Sequence, residues 1–183
     1  MPAIGKPIVL PAGDSMELLE TAAMTHGERV RARLVFAANS PRAPRHVHPL
    51  QDETYEVISG DLSYILGRAK HVARAGSIVH LPRKIPHQHF CEGPQDVVTI
   101  QTVTPALDFD YVLENVFGRG TEDKLHGIPQ ILQGLVMIRK MKAAFFLAAV
   151  PLWLQRSAAW LVAPVAYLFG YRAVYQRFSG EEW

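Results

Sequence analysis

The sequence predicts a mainly β protein, a sandwich or barrel of short strands, followed by an α-helical C-terminal extension. Three observations carry that expectation. Through the first half, apolar runs are short, rich in β-branched and aromatic residues, and punctuated by Gly, Pro, Asn and Asp, which is the texture of strands and turns. From Phe109 onward the segments lengthen and become rich in Leu, Ala, Met and Phe at helical spacing. At 183 residues and 49% hydrophobic, the chain holds enough apolar material for one sizeable core, which excludes a disordered chain.

Taken in order, residues 1–29 read as an N-terminal strand segment and residues 30–105 as the barrel. The barrel runs are RVRARLVFA, ETYEVIS, LSYILG, SIVHLP and DVVTIQTVT. Ser59-Gly60-Asp61 reads as a hairpin turn that joins the second run to the third. A boundary falls near Pro105, and TPALDFDYVLENVFG then opens the helical extension, 106–183, with Asp108 placed to cap its first helix. Further on, AAFFLAAVPLWL and AAWLVAPVAYLFGY read as two helices separated by a bend at Pro151. Neither half reaches the roughly 20 apolar residues that a membrane span needs, and Arg156 sits at their join.

Charge narrows the partners. Nineteen Lys and Arg against 17 Asp and Glu leave +2, which argues against nucleic acid as the main partner. Cys91 is the single cysteine and makes no internal disulfide, and the N-terminus shows no apolar leader, so a reducing, cytoplasmic setting is expected.

Six of the eight histidines lie between His46 and His89. Residues two apart on a strand share a face, so His46 and His48 can reach one point. A turn through Pro49-Leu50-Gln51-Asp52 resets the phase, and Glu53 then opens a new strand that can return beside them. His87 arrives behind a turn bounded by Pro82 and Pro86. Three imidazoles and a carboxylate suit one divalent transition metal ion per chain, Fe, Mn, Ni, Cu or Zn. On this reading, two adjacent strands supply His46, His48 and Glu53, and His87 completes the set.

These residues resemble the two motifs of the cupin superfamily. His46, His48, Glu53 and Gly60 follow the first with four and six residues between the later members, and Gly76, Pro82 and His87 follow the second. Ser40, Lys84 and Cys91 replace the leading Gly, the turn Gly and the closing Asn of the pattern. A Gly at the place of Lys84 serves a left-handed turn, which another residue adopts at a cost of roughly 1–2 kcal/mol. The resemblance covers about residues 30–105 and implies a double-stranded β-helix, or jelly-roll barrel, with the metal inside. It also implies a homodimer. It does not imply one reaction, since the superfamily spans dioxygenases, isomerases, decarboxylases and ligand-binding proteins.

Around the metal, Tyr55 continues the face of Glu53, His89 that of His87, and Gln101 interrupts an apolar strand; these three are the expected substrate-pocket residues, with no catalytic residue assigned. Arg42 and Arg45 flank the first ligand and could meet an anionic substrate, His71 and His80 lie on other runs, and Cys91 should pack as a small apolar residue. Three arrangements suit the apolar tail. The preferred one packs it on the barrel or across a dimer interface, the second lays it over the barrel mouth as a lid or second wall, and the least favoured is an interfacial hairpin on anionic lipid, flanked by Arg139, Lys140, Lys142, Arg172 and Arg177. The tail, from GIPQILQGL to the closing Gly-Tyr-Arg, resembles the helical extension of an uncharacterised group of bacterial cupin-domain proteins. The expected function is a metal-dependent enzyme on a small organic molecule, foremost an oxygenase of an aromatic or enolisable compound; a metal-dependent isomerase or decarboxylase and a non-catalytic ligand-binding protein stand beside it.

Overall fold

A computed structural model describes residues 4–122 and 127–181. Residues 1–3 of the N-terminal segment and 123–126, 182 and 183 of the extension lie outside the described residues. Ten strands come first: β1 Ile8–Val9, β2 Ser15–Glu20, β3 Val30–Phe36, β4 His46–Val47, β5 Asp52–Ser59, β6 Asp61–Leu66, β7 Ala69–Arg74, β8 Ile78–Leu81, β9 His87–Cys91 and β10 Val97–Thr104. Helices α1 Phe109–Thr121 and α2 Gly127–Lys140, a short strand β11 Phe146–Leu147, and helices α3 Leu152–Leu168 and α4 Gln176–Ser179 complete the chain.

The strands form two sheets, ordered β1-β2-β3-β10-β5-β8 and β11-β4-β9-β6-β7. Every pairing between the named strands is antiparallel. Alternation decides what faces inward. Glu53, Tyr55 and Val57 are buried on β5, and Val97, Thr99, Gln101 and Val103 on β10, with exposed or half-buried neighbours between them. Met16, Leu18, Leu34 and Val79 from one sheet meet Leu62, Ala73 and Cys91 from the other in a single core. This is the expected β-rich barrel with a helical extension.

Three local expectations are corrected. Ser59-Gly60-Asp61 is a corner between sheets rather than a hairpin, because β5 pairs with β10 and β8 while β6 pairs with β7 and β9. Glu53 and His46 therefore lie in opposite sheets, with His48 just past β4, and not on two neighbouring strands. Gly60 makes the corner feasible: it sits at φ 76°, and a Cβ there would lie 2.5 Å from the Asp96 carbonyl oxygen.

The second correction concerns the tail. AAFFLAAV is not helical, because Phe146 and Leu147 pair as β11 with Val47 and His46 of β4. Pro151 does not bend two helices apart but stands at the start of α3, which runs on through Gln155, Arg156 and Ser157, a position where its missing N–H costs nothing. Third, Asp108 precedes α1, but its side chain makes no cap there; its carboxylate instead accepts the Lys142 and Ala143 backbone N–H groups at 3.0 and 2.7 Å. That bond clamps the start of the segment carrying β11. Polar bonds hold the helices together further out, where the Tyr175 hydroxyl donates to Gln133 Oε1 at 2.8 Å and accepts from Arg119 at 3.1 Å.

Candidate metal centre

Each of the four expected ligands is placed by a different local device. His46 begins β4 and is paired directly with His87 at the start of β9. His48 follows β4, and its carbonyl accepts the Lys84 N–H at 2.8 Å, which ties the Pro82–Pro86 turn to the first histidine pair. Lys84 occupies the left-handed region, φ 66°, as expected for a residue standing in a glycine position. Glu53 lies in β5 between Val103 of β10 and Leu81 of β8, so a ladder on both sides fixes it. Asp52, one residue earlier, accepts from Arg83 through backbone and guanidinium N–H groups, joining the strand of Glu53 to the turn before His87.

The four side chains converge: one donor atom from each of His46, His48, Glu53 and His87 lies within 4.8 Å of the others. All are buried, between 0 and 7% exposed. The structure sets which nitrogens face inward. His46 Nδ1 lies 2.9 Å from the Pro44 carbonyl and His87 Nδ1 2.9 Å from that of Ile85; a carbonyl can only accept, so each Nδ1 carries the proton and each Nε2 presents a lone pair to the centre. His48 Nε2 stands 2.7 Å from Glu53 Oε1, and His87 Nε2 3.8 Å from Glu53 Oε2.

This donor set fits a transition metal. His87 Nε2 and Glu53 Oε2 are buried without a hydrogen-bond partner among the described residues, an expensive condition for polar atoms with nothing to bind. The electrostatics agree. Burial holds His46 down to about 3, with the neighbouring His48 adding to the effect, and burial likewise lowers His87, so both present neutral, ligating imidazoles. Burial works to raise the Glu53 carboxyl, but the facing His48, His87 and His46 outweigh it and hold the group well below the usual carboxylate range. An ionised carboxylate beside the neutral imidazoles of His46 and His87 is the charge state that a divalent cation requires.

Deeper in the barrel, the three expected pocket residues form one cluster. Gln101 Nε2 donates to the Tyr55 hydroxyl at 2.8 Å, and that hydroxyl lies 3.2 Å from His89 Nδ1. Burial pushes His89 down to about 4, and burial together with the Glu53 charge pushes Tyr55 well above its usual range, so a protonated phenol meets a neutral imidazole. The His89 ring centroid is 5.9 Å from that of His46, which places the cluster beside the metal group.

Four residues at the site escaped the sequence reading. Phe145 lies 5.2 Å from His46 and Phe109 5.6 Å from His48, ring centroid to ring centroid; together they put the extension over the centre. Among the described residues, Thr99 Oγ1 is buried without a partner, as is Gln101 Oε1. Gln51 donates to the Pro105 and Ala106 carbonyls at 2.8 and 3.0 Å, anchoring the ligand loop to the strand–helix junction. Arg42 is drawn away from the centre, pairing with Glu92 and lying 4.0 Å over the Phe90 ring, whereas Arg45 keeps a buried Nε without a partner among the described residues. His71 stacks on Tyr64 and His80 meets Thr54, both outside the cluster.

Residues 32–103 match the family profile described as a cupin domain. The barrel belongs to the cupin superfamily. Solved structures resemble this barrel at low identity. KdgF from a Halomonas species is 16% identical, with 57% of this chain and 89% of that chain covered at a TM-score of 0.49. An RmlC-like cupin from Shewanella frigidimarina is 18% identical, covering 58% and 92% at 0.49. A Thermotoga maritima protein described as a predicted oxalate decarboxylase is 18% identical, covering 55% and 90% at 0.49. At such values they say nothing of reaction or substrate. No curated protein sequence matches the chain. No helix among the described residues is long and apolar enough to cross a membrane.

Proposed function

We propose that this cupin is a metal-dependent enzyme acting on a small organic molecule, an oxygenase of an aromatic or enolisable compound. The observation that carries the reading is the sealed three-imidazole, one-carboxylate group under two phenylalanine rings. His46, His48, Glu53 and His87 would hold the ion, which supplies a Lewis acid and, if redox-active, a means of activating oxygen.

The chain's own residues supply the rest. Phe109 and Phe145 exclude water and offer flat apolar surfaces to an aromatic ring. Gln101 Oε1 and Thr99 Oγ1, both lacking partners among the described residues, offer an acceptor and a hydroxyl to a polar substituent. The Tyr55 hydroxyl stays protonated, held by Gln101 and directed at His89, and can donate a hydrogen bond or, through His89, exchange a proton with an enolisable substrate.

The test begins with metal content of untagged protein purified without added metal, beside His48→Ala and Glu53→Ala. Near-stoichiometric Fe, Mn, Ni or Cu, lost in both variants, followed by oxygen uptake with catechols or β-dicarbonyl compounds, is the expected result. Zinc alone, or metal without oxygen uptake, would replace the oxygenase reading with isomerisation, decarboxylation or binding. An inability to bind any of these ions would overturn the site itself.

A further inference from the structure

Helix α3 is turned inside out. Its buried stripe is Gln155, Ala159, Ala163 and Ala166, small or polar residues that suit close packing of α3 against its neighbours. Its large apolar residues face water: Trp153, Leu154, Trp160, Leu161, Val165 and Leu168 are 45–85% exposed. At 3.6 residues per turn these six share one arc of roughly 140°, and exposed Phe169 extends it at the helix end. A continuous apolar face of this kind marks a contact surface.

Charge identifies the occupant. Residues 127–180 contain no Asp or Glu and six cations, Arg139, Lys140, Lys142, Arg156, Arg172 and Arg177, although the whole chain carries only +2. Several of them border apolar rings, with the Arg139 guanidinium 4.3 Å over Trp160, that of Arg156 5.4 Å over Phe146, and Lys140 Nζ 5.8 Å over Tyr167. Long stems beside rings and charged heads at the rim are how basic side chains sit at a lipid interface. We propose that this face docks on an anionic membrane surface, with the α3 side chains in the boundary between headgroups and acyl chains and Arg139, Lys140, Lys142 and Arg156 on phosphates. A second copy is the poorer occupant, because a symmetric pairing would bring two acid-free cationic faces together. With no helix able to cross a bilayer among the described residues, the contact is with one leaflet.

The test is sedimentation of the full chain with vesicles of phosphatidylcholine alone and of phosphatidylcholine with phosphatidylglycerol. The expected result is binding to the anionic vesicles only, weakened by salt and accompanied by a blue shift of tryptophan emission. Leu161→Glu with Leu168→Glu, both at exposed positions and checked for folding by circular dichroism, should abolish it. Arg139→Gln with Arg156→Gln should weaken it about 25-fold, each cation near an anionic surface being worth roughly fivefold. No binding to the anionic vesicles, or equal binding to the neutral ones, would overturn the proposal. So would a solution dimer that dissociates in the Leu161→Glu, Leu168→Glu protein and ignores vesicles.

Discussion

Burial favours the neutral forms of the His46 and His89 imidazoles and outweighs the opposing Glu53 charge, and this sets a pH dependence. Their folded values, about 3 and about 4, lie below the ordinary 6.5. As pH falls below about 6.5, the unfolded chain takes up protons that the fold refuses, so stability is lost from there down to the folded values, by up to about 1.4 kcal/mol per pH unit for each histidine. The Glu53 carboxyl, depressed in the fold, contributes above its unfolded value and loses that contribution as pH falls through the folded one. Urea midpoints of metal-free protein, measured in chelator between about pH 7 and about pH 4, should therefore fall steeply, and less so in His89→Gln; a flat profile would contradict the assigned protonation states. Lys84 gives an opposite kind of test. It holds a left-handed conformation at φ 66°, so Lys84→Gly removes a strain of roughly 1–2 kcal/mol while adding about 0.4–1 kcal/mol of unfolded-state freedom. The variant should be more stable than the parent by a fraction of a kcal/mol up to about 1, read as a higher urea midpoint at unchanged slope.

At the scale of elements, the corner at Gly60 and the strand β11 position the site. Gly60→Ala would drive a methyl group into the Asp96 carbonyl at 2.5 Å and against Val97 Cα at 3.1 Å. Backbone cannot give way cheaply, so a loss of about 2 kcal/mol or more is expected in thermal or urea unfolding. Phe145 enters the site because β11 adds to the edge of β4. Phe145→Ala should expose the centre, and its measure is faster loss of bound metal to a chelator with the barrel still folded. Neither element was legible in the sequence, unlike the ligand group that they position. The ligand group was legible because two-residue spacing on a strand fixes a common face; Tyr55 and His89 followed from the same alternation, and Gln101 from a polar residue interrupting an apolar strand. Thr99 could have been found that way too, two residues before Gln101 on β10. The sheet to which β5 and β6 belong was not legible, since Ser-Gly-Asp serves a hairpin and a corner equally well. Nor was β11: a run of Ala, Phe and Leu favours helix locally, and only pairing with a strand about 100 residues earlier in the chain overrides that preference.

For the whole molecule, the site joins the two sheets. His46 and His87 come from the five-stranded sheet and Glu53 from the six-stranded one, while His48 lies just past β4. An ion held by all four would link both halves of the barrel, and the unfolded chain has no such preformed cage. Binding free energy therefore becomes folding free energy: at about 100 times the dissociation constant, roughly 2.7 kcal/mol is added, which for a chain of this size raises the midpoint by roughly 5–11 °C. The added stability should be global. Calorimetry of metal-loaded protein should show one transition, and chelation should lower it as a unit rather than split off a barrel step from a helical step, because Phe109, Phe145 and the Asp108 bonds to Lys142 and Ala143 bind the extension to the centre. Glu53→Gln separates the alternatives. It removes the charge while keeping the shape, so its metal-free transition should lie below the parent's at neutral pH by the carboxylate's own contribution, while the rise on adding metal disappears. A Glu53→Gln protein that still gains the full rise would place the stabilising ion elsewhere, and two separate transitions in the parent would show that the extension folds independently of the barrel it covers.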